Sequence, residues 1–86
     1  MPTNISINIE HAIYGIKEKC MDVTAQTQAA LAGDDITISP KKLGIEDPAP
    51  GEIKHFAVKA MITIDNKEPY PFYYIAKDYE TIDFIP

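Results

Sequence analysis

Hydrophobic and polar positions alternate along most of this chain, and the cleanest alternation lies past its middle. Phe56, Val58, Ala60, Ile62 and Ile64 take every second place, with Ala57, Lys59, Met61, Thr63 and Asp65 between them. Successive side chains of an extended backbone point to opposite faces, so this period of two predicts a strand with one buried face, central in its sheet. Ahead of it, Ile36 and Ile38 alternate with Asp35, Thr37 and Ser39 in a short strand ending at Pro40. Near the start, Ile5, Ile7, Ile9 and Ile13 alternate with Asn4, Ser6, Asn8 and Glu10, a strand with one wet face. His11 falls in phase with the isoleucines. Either it sits at the rim of the core, or a bulge near it shifts the register and turns Ala12 and Tyr14 inward.

Gly15 breaks this strand, and Lys17 to Val23 predicts a second, shorter one. The run from Ala25 to Ala32 is rich in alanine and glutamine, good helix formers. Thr24 or Asp22 can cap its first amides, and Gly33 suits the position past its end. About two turns of helix follow, with Val23, Thr27, Ala30 and Leu31 facing the sheet. The thirteen residues from Pro40 to Glu52 carry Pro40, Gly44, Pro48, Pro50 and Gly51 and predict a loop. Loops of this length in small domains are functional or held by their own side chains. Asp65-Asn66-Lys67-Glu68 reads as a tight connection with Asn66 suited to a positive φ. Tyr70, Phe72 and Tyr74 then alternate with Pro71, Tyr73 and Ile75, and Pro69 and Pro71 put the start of this strand at an edge or outside the ladder. Thr81 to Ile85 forms a last strand before Pro86. The expected fold is mainly β: a small antiparallel β-sandwich-like domain with one short helix. The alternative is an α+β arrangement with the helix packed on one sheet.

Composition narrows the function. Eighty-six residues make one domain, 1–86, that buries only about 60–65% of its unfolded surface, so a homo-oligomer interface would supplement its core. A hydrophobic fraction of 45% argues against disorder. Thirteen acids against eight lysines and no arginine give a net charge of −5, which speaks against nucleic acid as a partner. An acidic surface could instead complement a basic protein. Cys20 is the single cysteine, so no intramolecular disulfide forms. No apolar run reaches the length of a membrane span, and the first residues lack the features of a signal peptide. The expected compartment is the cytoplasm, although a mature secreted chain would have the same composition.

Candidate chemistry is sparse. His11, Cys20 and His55 with Asp47 or Glu10 offer zinc-type donors, but their spacing matches no short ligand pattern. A Cys–His nucleophile has no recognisable context here. The carboxylate pairs Asp34-Asp35 and Glu46-Asp47 lie at an element end and in a loop, where solvated acids are expected. No catalytic residue, metal or cofactor is assigned, and the chain is expected not to be an enzyme.

Three pieces occur in one order: Ala12-x-Tyr14-Gly15, then Asp22-Val23-Thr24, then Leu43-Gly44-x-x-Asp47-Pro48-x-Pro50-Gly51-x-x-Lys54. Together they resemble the small domain of unknown function found at the C-terminus of some DnaJ-type proteins and as stand-alone bacterial or fungal modules. The likeness runs from about Ala12 to Ile64. The family's run of leucine-x-valine-x-tyrosine reads Phe56-x-Val58-x-Ala60 here, so its aromatic is missing. The resemblance implies a β-rich fold and a non-enzymatic interaction or accessory role, and it supplies no ligand. Physically, Asp47 before Pro48 can accept amide hydrogen bonds and fix the turn, and Gly51 can supply a positive φ. Lys54 can reach back towards Asp47 or the loop carbonyls.

The expected role is a protein-interaction module, self-associating or with a protein partner. Its candidate contacts are Asp47, Pro48 and Pro50 in the loop and Tyr70, Tyr73 and Tyr74 on the aromatic strand. Tyr73 is out of phase with Tyr70, Phe72 and Tyr74, so aromatics should appear on both faces, with Tyr73 exposed beside Ile75. Two rivals are a lectin-like carbohydrate-binding domain, with tyrosines and loop acids as its contacts, and an acidic inhibitor or immunity-type protein.

Overall fold

The computed structural model describes residues 4–31 and 33–85. The expected helix end at Ala32 and the closing Pro86 lie outside them. The elements run β1 (Ile5–Ile16), β2 (Lys19–Asp22), α1 (Thr24–Ala30), β3 (Asp35–Thr37), α2 (Pro40–Leu43), β4 (His55–Ile64), β5 (Tyr70–Lys77) and β6 (Thr81–Asp83). The fold is mainly β, with two antiparallel sheets in the orders β2-β1-β4-β5 and β3-β6.

β4 carries the expected alternation. Phe56, Val58, Ala60 and Ile62 are buried, and the half-buried Ile64 packs against them. The strand lies inside its sheet, between β1 and β5. β1 is longer, at 12 residues, and is interrupted where its register against β4 shifts between Ile9 and His11. This is a β-bulge with Glu10 as the extra residue. A slip of one residue exchanges the faces of every later side chain. Ile9 therefore points inward before the bulge and Ala12 and Tyr14 after it, while Ile13 turns to the opposite face. The isoleucine alternation implied an inward Ile13; the bulge corrects it.

The inner face of the large sheet is covered by α1, α2 and the β3–β6 pair. Val23 and Thr27 are buried, and Ala30 and Leu31 pack against the core from its margin. Ile36, Ile38, Leu43, Ile82 and Phe84 complete that layer. α1 is fixed at its start by Asp22, whose Oδ1 accepts from the Thr24 amide at 2.9 Å and the Thr24 hydroxyl at 2.6 Å. The same hydroxyl oxygen accepts the Ala12 amide at 3.0 Å. One turn on, Gln28 accepts the Ile9 amide at 2.7 Å and donates to the Ile7 carbonyl at 3.0 Å. β2 pairs only with Ile13–Ile16, so these side chains satisfy the part of β1 that has no strand beside it.

Three expectations need correction. The segment 40–52 opens with the short helix α2. The Ser39 Oγ accepts the Lys42 amide at 3.1 Å, Pro40 opens the first turn, and Gly44 closes it at φ 69°. After β4 the positive φ, 54°, belongs to Asp65 and not to Asn66. Asp65 makes two hydrogen bonds to the Asn4 backbone, and these hold it in that conformation. β2 starts at Lys19 rather than Lys17, because Lys17 and Glu18 form the turn out of β1. Among the described residues no helix is long and apolar enough to cross a membrane.

Candidate functional site

Two regions carry the residues that the sequence singles out, and they lie at different places on the molecule. The first is beneath the loop. Asp47 is held by its own turn, its Oδ1 accepting the Ala49 amide at 2.9 Å. Gly51 takes a positive φ of 81°, and the chain returns to bring Lys54 under the loop. Lys54 is 3% exposed. Its ammonium donates to the carbonyls of Ala49 at 3.2 Å and Glu52 at 2.6 Å, and pairs with Asp47 at 3.1 Å and Asp78 at 3.2 Å. Both reaches foreseen for Lys54 are present, towards Asp47 and towards the carbonyls.

Asp78 gave no sequence signal, and Tyr14, read only as turning inward, gave none for its part in this cluster. Asp78 accepts the Lys54 amide at 3.0 Å and the hydroxyl of buried Tyr14. Burial alone would raise the Asp78 carboxyl; Tyr14, the Lys54 amide and the Lys54 ammonium outweigh it and hold the group below its ordinary range. Burial alone would lower Lys54, and the two aspartates reverse that and hold it protonated to higher pH. For Tyr14, burial and then Asp78 push the phenol well above the usual tyrosine range. Every donor of Lys54 is engaged, so the cluster acts as a brace joining the loop, β1 and the end of β5. A shallow depression over it is lined by Asp47, Glu52, Ile53, Lys77 and Tyr79. Pro48 is half-buried and Pro50 exposed beside it.

The second region is the outer face of the large sheet. The bulge in β1 and the phase of β5 put three apolar residues in one row, since Ile13 pairs with Ala57 and Ala57 with Ile75. The adjacent row is His11, Lys59 and Tyr73. Ile75 is 74% exposed, Tyr73 68% and Ile13 38%. Two shallow, mainly apolar depressions run along these rows. Lys59 pairs with Glu10 at 3.1 Å and lies 6.0 Å from the centre of the Tyr73 ring. That pairing, together with Tyr73, holds the Lys59 ammonium protonated above its ordinary value. The middle of the face is thus apolar and locally neutral on a molecule of net charge −5.

The aromatic strand β5 is an edge strand, as Pro69 and Pro71 implied. Tyr73 is exposed beside Ile75 on the outer face. On the inner side Phe72 stacks on Tyr74 at 5.9 Å between ring centres and meets Phe84 at 5.0 Å. Tyr74 is still 45% exposed. Tyr70 pairs with Ile62 at one end of the β4–β5 ladder, and Lys77 with His55 at the other, next to the brace. The six candidate contacts therefore divide: Asp47, Pro48 and Pro50 at the brace, Tyr73 and Tyr74 along the strand, and Tyr70 at its far end. Among the described residues no three histidine, cysteine or acidic side chains gather as a metal site would need. No family model, curated protein or solved structure matches the chain.

Proposed function

We propose that this chain is a non-enzymatic protein-interaction module whose contact surface is the outer face and free edge of the β2-β1-β4-β5 sheet. The observation that carries the reading is the uncovered row Ile13–Ala57–Ile75 with Tyr73 beside it. An antiparallel sheet with one solvated face normally alternates apolar-in and polar-out. Here the solvated face carries an apolar, locally neutral centre, the composition expected of an interface core. Because Lys54, Asp47 and Asp78 satisfy one another, the loop reads as the support that sets the end of β4 and β5.

The test is a double variant, Tyr73→Ala with Ile75→Ala, compared with the wild type by crosslinking in a lysate of the source cell. Both side chains face solvent, so stability should stay within about 0.5 kcal/mol. A protein crosslinked to the wild type should be lost from the variant. Equal crosslinking by both proteins would reject this face as the contact surface.

A lectin-like reading draws on one observation, the depression where Tyr79 stands beside Asp47 and Glu52. A glycan array read with calcium present decides it: binding abolished by Tyr79→Ala supports this second reading, and an empty array removes it.

A further inference from the structure

Resting on the interaction-module reading and naming its partner, we propose that a second copy of this chain pairs with β5, edge to edge and antiparallel, with Tyr74 on the two-fold axis. Backbone groups of a strand point alternately to its two sides. Asp78 donates its amide to the Lys54 carbonyl at 2.9 Å, continuing the β4–β5 ladder. Positions 70, 72, 74 and 76 share that parity and turn their amides and carbonyls towards β4. Pro71, Tyr73, Ile75 and Lys77 turn theirs to the free edge.

Both ends of that edge are closed. Pro71 has no amide hydrogen. The Lys77 amide donates to Glu80 Oε1 at 2.6 Å, and the Lys77 carbonyl accepts the Glu80 amide at 3.2 Å. Between them, the outward groups of Tyr73 and Ile75 have no protein partner among the described residues.

One two-fold register uses these free groups and no others. With Tyr74 on the axis, Tyr73 of each copy lies opposite Ile75 of the other. The two pairs then exchange four N–H to carbonyl bonds. Centring on Tyr73 sets Pro71 against Ile75 and leaves a carbonyl without a donor. Centring on Ile75 sets Tyr73 against Lys77, whose amide and carbonyl are taken. The side chains agree with the first register. Tyr73 and Ile75 form an aromatic and β-branched cross-strand pair on the outer face. On the inner side the half-exposed Tyr74 meets its own copy, extending the Phe84–Phe72–Tyr74 row. No charged residue occurs from Tyr70 to Ala76, so two molecules of like net charge meet along a neutral seam. The seam is short by the measure of stable dimers, which bury about 800 Å² per partner, so the dimer is a weak one.

Sedimentation of the full chain across a concentration series tests the pairing, and a reversible monomer–dimer equilibrium is expected. Ile75→Pro deletes an outward amide and leaves the β4 ladder its bonds; dimer affinity should weaken about tenfold or more. Register is read by crosslinking in a Cys20→Ser background. Tyr74→Cys brings two Cα atoms to about 4.5 Å across the axis, within disulfide reach, and should form a linked dimer with oxidised glutathione. Tyr73→Cys, facing Ile75, should link far less. Far-UV circular dichroism confirms that each variant folds. A monomer at every concentration overturns the proposal, as does equal linking by both cysteine variants. If a monomeric wild type instead takes up an extended peptide along β5, the edge belongs to a foreign partner and self-pairing falls. A monomer whose crosslinking to another protein still depends on Tyr73 and Ile75 sinks self-pairing and leaves the interaction reading standing.

Discussion

Lys54 shows how one side chain ties distant parts of this chain together. A buried ammonium is tolerated only when its donors are met, and here two carbonyls and two carboxylates meet them. Removing one partner of a buried pair leaves the other charge uncompensated. Lys54→Met should therefore destabilise the protein by about 3 kcal/mol, read as a lower urea midpoint at unchanged slope. The loop half of this brace was legible in the sequence, because Asp47, Gly51 and Lys54 lie within one short motif. Asp78 was not, and of Tyr14 only the inward turn was legible. Asp78 follows β5 in a stretch with no pattern, and Tyr14 lies 64 residues from its partner. Nothing local to either position records the contact. Thr27 falls between these cases: its place on the buried face of α1 follows from helical spacing, but its hydroxyl finds no partner among the described residues.

At the scale of elements, the bulge in β1 decides which face of the sheet becomes apolar. Periodicity raised it as one of two readings of His11, and the register between Ile9 and His11 selects it. What alternation could not give was the consequence for Ile13, since a bulge leaves no mark beyond the point where two phases conflict. α2 was written in plain signals, with Ser39 before Pro40 and Gly44 after Leu43. The surrounding prolines and glycines masked it as a loop. The β1–β2 turn depends on Gly15, which sits at φ 147° where a Cβ would lie 2.1 Å from the Lys19 carbonyl oxygen. Gly15→Ala must displace backbone and not merely a flexible side chain. It should lower the melting temperature by several degrees or prevent soluble expression, whereas Gly33→Ala, with open space around it, should cost only the backbone strain of a side chain at φ 71°.

For the whole molecule, the brace fixes how stability depends on pH. Asp78 titrates below its ordinary value near 3.8 in the fold, so its contribution is in place above that value and is lost as pH falls through the lower folded one. Tyr14 is raised from 10.0 and Lys54 from 10.5, so their contributions are complete below those values and are lost as pH rises beyond them. Thermal melts should show a plateau between these limits and a fall on either side. Tyr14→Phe removes a donor to Asp78, lets its carboxyl rise, and should move the acid fall to higher pH. An acid limb at the same pH in both proteins would exclude Asp78 as its cause.

β1 and β4 are sheet neighbours, yet β2, α1, β3 and α2 are encoded between them. On a ribosome, the isoleucine-rich β1 emerges ahead of β4 and must wait several seconds, at ordinary synthesis rates, before its longest ladder can be made. Over that interval β2 can pair only with Ile13–Ile16, and the earlier isoleucines have no strand beside them. The order of the strands thus makes closing the large sheet a long-range event, slower than pairing neighbours in sequence.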